Sequence, residues 1–173
     1  MKVAIVALVS VALLAGCQGM MGSSGPSATA NLQPTKGNSA KGTVTFTQVG
    51  EKVRVSGQVT GLTPGREHGF HIHEAGDCSS GDGMSTKGHF NPFGKPHGNP
   101  HGSERHAGDM PALRADSSGA ANIDATLDIM TVSPGPASIV GRGLIVHANP
   151  DDYKTQPTGN AGGRIACAVI QRS

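Results

Sequence analysis

Aromatic side chains are scarce in this sequence: 173 residues carry no tryptophan, one tyrosine and four phenylalanines. No stretch repeats apolar residues at a helical period, and with 26 glycines and 11 prolines the chain is one of many turns and few long helices. Charge of a single sign is missing too. The formal net charge is +2, the sequence pI is near 8.5, and no run of lysine or arginine forms a phosphate-tracking patch, so nothing suggests a nucleic-acid partner. Cysteine is limited to three residues, Cys17, Cys78 and Cys167, which argues against a cysteine-rich zinc module. The one commodity in surplus is histidine. Seven of the eight, at positions 68, 71, 73, 89, 97, 101 and 106, fall in one stretch, and His147 stands alone.

The length is that of one domain with a real core. Its N-terminus reads as a separate, processed segment. Met1-Lys2 precedes VAIVALVSVALLAG, an apolar run of signal-peptide length and too short to span a bilayer. The run ends in Leu14-Ala15-Gly16-Cys17, which resembles the lipobox of bacterial lipoproteins. Residues 1–16 are thus expected to be a lipoprotein signal peptide, with Cys17 lipidated as the first mature residue. That expectation places the protein in the periplasm or cell envelope, anchored to a membrane, and Gln18 after the cysteine resembles the signal for the outer membrane. QGMMGSSGPS, to residue 27, reads as a flexible tether, leaving residues 28–173 as the folded domain. Once Cys17 is lipidated, the two cysteines left in an exported chain are candidates for one disulfide.

The body of the chain reads as strands: 28–33, 42–48, 52–60, 68–73, 120–129, 144–147 and 165–171, separated by turn signals such as Pro64-Gly65 and Ser118-Gly119. An antiparallel sandwich or barrel follows. Two stretches, 74–112 and 148–164, are too long for ordinary connections, and loops of that size in one domain are usually functional or disordered. The histidines lie in and beside them. In GFHIHEAGD, His71 and His73 point to one face of a strand and Phe70 and Ile72 to the other. An isolated H-x-H is also what two surface histidines would look like. Here His89, His97, His101, His106 and Asp109 follow, and His147 ends a later strand. Imidazoles with one carboxylate suit zinc, copper, iron or nickel, and the number of ligands is economical for two adjacent ions.

Five segments, GFHIHEAGDC, GHFNPFGKPHG, ERHAGDM, GLIVHANPDD and GNAGGRIACAVI, resemble in order the motifs of copper/zinc superoxide dismutase, and the likeness runs from about residue 28 to 173. The resemblance implies an all-β fold: an immunoglobulin-like Greek-key sandwich or flattened barrel of about eight antiparallel strands with two long functional loops. It implies copper held by His71, His73, His89 and His147, and zinc held by His89, His97, His106 and Asp109, with His89 shared. It also implies that Asp151 hydrogen-bonds a ligand histidine of each metal and that Cys78 pairs with Cys167. The implied activity is disproportionation of superoxide to O2 and hydrogen peroxide. His89 serves in proton transfer, Arg164 binds the anion beside the metal, and Thr158 lines the opposite side of the channel. His68 matches a structural histidine, and His101 matches no ligand and reads as a solvated loop residue.

The second loop departs from animal relatives in being shorter and less acidic, with Lys154 its only lysine. Lys87 and Lys95, in the first loop, are therefore the residues expected to guide superoxide. The family includes dimers and monomers, and the sequence leaves a homodimer open.

Overall fold

The computed structural model describes residues 25–173; the signal-peptide, Cys17 and most of the tether expectations lie outside the described residues. Ten strands follow one another: β1 (Ser27–Pro34), β2 (Lys41–Val49), β3 (Lys52–Thr60), β4 (Glu67–His68), β5 (Phe70–His73), β6 (Leu113–Arg114), β7 (Ala121–Leu127), β8 (Gly143–His147), β9 (Arg164–Val169) and β10 (Gln171–Arg172). The only helical element among the described residues is a 3-10 turn at Met84–Thr86. Eight strands make one curled antiparallel sheet in the order β5-β8-β9-β1-β2-β3-β7, with β10 also on β1, and β4 pairs with β6 apart from it.

Alternation in sequence becomes alternation in burial. Ala28, Ala30 and Leu32 on β1, Val44 and Phe46 on β2, and Val53, Val55 and Val59 on β3 all turn inward. With Phe70, Ile72, Leu144 and Ile170 they form one core cluster. The missing member of the β3 series is Gly57, at φ 153, and a Cβ there would run into the Thr43 carbonyl of β2. Two backbones cross too closely at that point for any side chain.

The expected strand at 68–73 is two strands. His68 pairs with Leu113, whereas Phe70 to His73 pair with Val146 to Gly143, so the chain changes partner at Gly69. Gly69 gives its N–H to Asn149 and receives that of His147 on its carbonyl. The expected strand at 165–171 also divides, at Ile170: β9 runs along β8, whereas Gln171 and Arg172 of β10 pair with Thr29 and Ala28 of β1.

Strand β5 is buried on both faces. Phe70 and Ile72 enter the core, and the loop 74–112 folds back to cover the other side. That loop adds its own main-chain bonds to the free edge of β5: Phe90 N–H to the Ile72 carbonyl at 2.8 Å, Ile72 N–H to Gly108 at 2.9 Å and Glu74 N–H to Gly88 at 2.9 Å. The pairing sets His71 opposite Asp109 and His73 opposite His89.

Cys78, in the same loop, is disulfide-bonded to Cys167 on β9 across a sequence separation of 89 residues. A cross-link of that span stabilises by roughly 4–5 kcal/mol on the chain-entropy account. Replacing both cysteines by serine is expected to lower stability by up to about that amount, read from urea unfolding of the metal-free protein. An unchanged midpoint would show that the loop is held without it.

Candidate metal centre

Two clusters of ligand atoms lie back to back and share one residue. His71, His73, His89 and His147 form the first; His89, His97, His106 and Asp109 form the second, and within each the ligand atoms lie within 4.8 Å of one another. All seven residues are buried. His71 and His73 come from β5, His147 from the adjacent end of β8, and the other four from the loop 74–112.

The second cluster is arranged around a point. Asp109 Oδ1 lies 2.9 Å from His89 Nδ1, 3.0 Å from His97 Nδ1 and 3.3 Å from His106 Nδ1, and the His89 and His106 Nδ1 atoms are 3.4 Å apart. Hydrogen bonding alone cannot satisfy this crowd, since one carboxylate oxygen offers about two lone pairs to three nitrogens. A tetrahedral ion with bonds of about 2.0–2.1 Å would have ligand-to-ligand edges of about 3.3 Å, and the four distances, 2.9 to 3.4 Å, lie around that value. The other carboxylate oxygen, Oδ2, is held in place by the N–H groups of Gly98 and His106 at 3.1 and 2.9 Å.

In the first cluster, His71 Nδ1 and His89 Nε2 are buried without any hydrogen-bond partner. Orphaned ring nitrogens are costly unless something binds them. His73 Nε2 and His147 Nε2 complete the group, 3.4 Å apart, while their Nδ1 atoms are spoken for by the carbonyls of Lys87 (2.8 Å) and Gly162 (3.2 Å). Those outward bonds fix each ring's orientation and leave the Nε2 atoms free to converge. His89 therefore presents Nε2 to one cluster and Nδ1 to the other.

Asp151, from the loop after β8, spans the two clusters. Its Oδ2 lies 2.7 Å from His71 Nε2 and its Oδ1 2.9 Å from His97 Nε2, all fully buried. Gly159 makes room for this contact: at φ +66, a Cβ would overlap the Asp151 carboxylate and come within 2.6 Å of His97 Nε2. Neither Gly159 nor Gly69, where a Cβ would meet Ala161 at 2.8 Å and His71 Cε1 at 3.2 Å, is marked in the sequence by more than its glycine.

Arg164 donates to the Gly83 carbonyl at 2.6 Å, the Thr86 hydroxyl at 2.9 Å and the Lys87 carbonyl at 2.6 Å. The Lys87 carbonyl thus serves both His73 and Arg164, which brings the guanidinium against the first cluster. Lys87 adopts φ 63, a conformation rare outside glycine. Lys95 is ion-paired with Glu104 at 2.9 Å. Thr158 is half-buried one residue before Gly159. His68 is buried beneath β8, its Nδ1 2.8 Å from the His147 carbonyl, and belongs to neither cluster. His101 is exposed and also outside both.

Burial presses the rings toward their neutral, ligating form. It lowers the pKa of His89 to about 4 and that of His147 to about 3, and drives His73 lower still, with neighbouring imidazoles adding to the effect. At His97 burial also lowers, but the hydrogen bonds and charges of Asp109 and Asp151 outweigh it and raise the pKa to about 9. Asp109 and Asp151 lie far below the usual carboxylate range, because their histidine partners overcome the opposing cost of burial.

A family model described as copper/zinc superoxide dismutase (SODC) matches residues 40–170. The chain belongs to that family. It is 44% identical over 136 residues to a Cu-Zn superoxide dismutase of Paramecium bursaria Chlorella virus 1, an alignment covering 75% of this chain and 72% of the relative. It is 48% identical over 137 residues to Cu-Zn superoxide dismutase 2 of Brassica juncea, covering 75% of this chain and 88% of the relative. Among solved structures, that of the clock protein EA4 superposes with a TM-score of 0.77 at 45% identity, covering 84% of this chain and 93% of that one. Superoxide dismutation, with copper and zinc as the metals, is thereby the activity of this chain.

Two outcomes are expected here. Gly159→Ala should displace Asp151 and weaken metal retention by about 10–100-fold, measured by competition with a chelator. The metal-free protein should lose stability as the pH falls from about 6.5 toward 4, because the unfolded chain takes up protons that folded His89 and His147 refuse. His97 acts in the opposite sense, its stabilisation present at low pH and lost as the pH rises from about 6.5 through 9. Melting temperatures between pH 4 and 10 would test both arms.

Proposed function

We propose that the two clusters form one bimetallic centre in which His89 is the shared ligand. Copper would be held by His71, His73, His89 and His147, and zinc by His89, His97, His106 and Asp109. The observation that carries this reading is the pair of opposed nitrogens on His89, one among three imidazoles and the other among two imidazoles and a carboxylate. The all-imidazole set suits copper, and the set containing Asp109, with its tetrahedral spacing, suits zinc. Copper supplies the one-electron couple on which superoxide disproportionation depends, and zinc has no redox chemistry.

The chain's own residues do the rest. Arg164 docks the superoxide anion: its guanidinium stays charged, and its three loop acceptors hold it in one position. His89 Nε2 is the proton site: buried and without a hydrogen-bond partner in the protein, it would take up and pass on a proton when not engaged in the first cluster, while Nδ1 remains in the other. Asp151 fixes His71 and His97 in the tautomers that leave their Nδ1 atoms for the metals. The guidance of superoxide falls to Lys87 more than to Lys95, whose charge is offset by Glu104. Lys87 is exposed and its carbonyl accepts from Arg164, so this lysine borders the seat of the guanidinium, and a charge there is felt over a Debye length of about 8 Å.

The N-terminal segment supports a cell-envelope role. Lipidation at Cys17 would tether the domain to a membrane, in the outer membrane on the reading of Gln18, and there the enzyme would protect the envelope from oxidants. An intact mass carrying acyl chains on Cys17 would support this, and an unmodified terminus would overturn it.

The function is tested by loading the purified protein with copper and zinc and assaying superoxide removal with and without cyanide. One equivalent of each metal and cyanide-sensitive turnover are expected; bound metal without turnover would make the protein a metal store. Arg164→Ala should lower the rate about tenfold or more, and Lys87→Gln should flatten its dependence on ionic strength. An unaltered salt dependence would remove Lys87 from that role.

A further inference from the structure

The loop 148–163 meets the loop 74–112 at two points away from Asp151. The side-chain amide of Gln156 grips the main chain of His97 from both sides: Oε1 accepts the His97 N–H at 2.9 Å and Nε2 donates to the His97 carbonyl at 2.9 Å. The pair copies the bonding of an antiparallel strand neighbour. The second contact is made by the chain's only tyrosine. The Tyr153 hydroxyl accepts the Ala112 N–H at 2.9 Å, while the Tyr153 N–H donates to Asp151 Oδ1 at 2.7 Å. Tyr153 is held at φ 56, a conformation a tyrosine adopts only when its surroundings enforce it.

His97 is thus gripped at three places. Asp109 and Asp151 hold the ring at Nδ1 and Nε2, and Gln156 holds the backbone. The Gln156 side chain makes no hydrogen bond to a copper-cluster residue; it bonds His97 and, at 3.3 Å, the Lys154 carbonyl of its own loop. Two residues beyond Gln156 stands Thr158, and three beyond it Gly159, which makes room for Asp151 against His97.

We propose that Gln156 is a positioning residue for the zinc cluster: by clamping the backbone of His97 it slows zinc release and couples assembly of that cluster to closure of the loop 148–163. This rests on the assignment of zinc to His89, His97, His106 and Asp109. Loss of the clamp leaves His97 with a ring fixed by carboxylates on an unheld segment, so the zinc-side donors spread while the copper-side donors keep their own supports on β5 and β8.

The test uses the full-length protein loaded with copper and zinc, compared with Gln156→Ala and Gln156→Glu. Zinc and copper transfer to a chelator are followed separately. The alanine variant is expected to release zinc about tenfold or more faster with copper release unchanged, in line with what loss of an outer partner does to a metal site. The glutamate variant keeps an acceptor for the His97 N–H but sets an oxygen against the His97 carbonyl, and should fall between the two. With cobalt(II) in place of zinc, the visible spectrum of the alanine variant should broaden and weaken. Since the chain has no tryptophan, its fluorescence reports on Tyr153 alone. The change in that signal on adding zinc should shrink in both variants.

Equal acceleration of zinc and copper release would mean a general loosening and would overturn the proposal, as would parental zinc release in the alanine variant. Should that variant fail to fold, the glutamate variant decides by the same ratio of zinc to copper release. A parent protein that takes up no zinc would instead defeat the assignment of the cluster itself.

Discussion

The main-chain ladder between β5 and the loop 74–112 is the constraint on which both ligand clusters depend. A strand edge leaves a row of N–H and C=O groups that must find partners once buried. Here Ile72 and Glu74 find them in Gly88, Phe90 and Gly108, and the register of that pairing faces His71 with Asp109 and His73 with His89. The same hydrogen bonds that satisfy the backbone therefore deliver ligands from distant parts of the chain to adjacent points. No long helix or separate domain is required. A hydrophobic sheet supplies rigidity on one side of β5, and the imidazoles occupy the other.

Burial serves the chemistry as well as the fold. Pushing His89 and His147 below their ordinary pKa keeps them neutral, which is the form that binds metal. The carboxylates of Asp109 and Asp151 run the other way, ionised and shared among rings. Asp151 is the joint between the two halves, since it touches one ring from each cluster. Anything that moves it, including a single methyl at position 159, acts on both.

Much of this was legible before any coordinates. The strand at 52–60 and its neighbour are marked by alternation and by the turn between them, and the seven residues that gather into the two clusters lie in the quoted motifs. The break at Gly69 was not, because a histidine-glycine-phenylalanine run is continuous in pattern and only the change of partner from Leu113 to Val146 divides it. Leu113–Arg114 is too short to show any period. Gln156, Tyr153 and Gly159 carry no signal of their own type: a glutamine that bonds another loop's backbone looks like any loop glutamine. In sequence Lys95 is as available as Lys87, and only the fold pairs it with Glu104. Local chemistry was readable, and contacts between loops were not.

The cystine also decides how the anion-binding arginine is held. Cys167 lies three residues from Arg164 on β9, and Cys78 opens the loop segment whose Gly83, Thr86 and Lys87 seat the guanidinium. One covalent bond thus staples the arginine's strand to the arginine's seat. Without it, the two segments would be joined only by the arginine's three hydrogen bonds, and the bearing of the cation would rest on them alone.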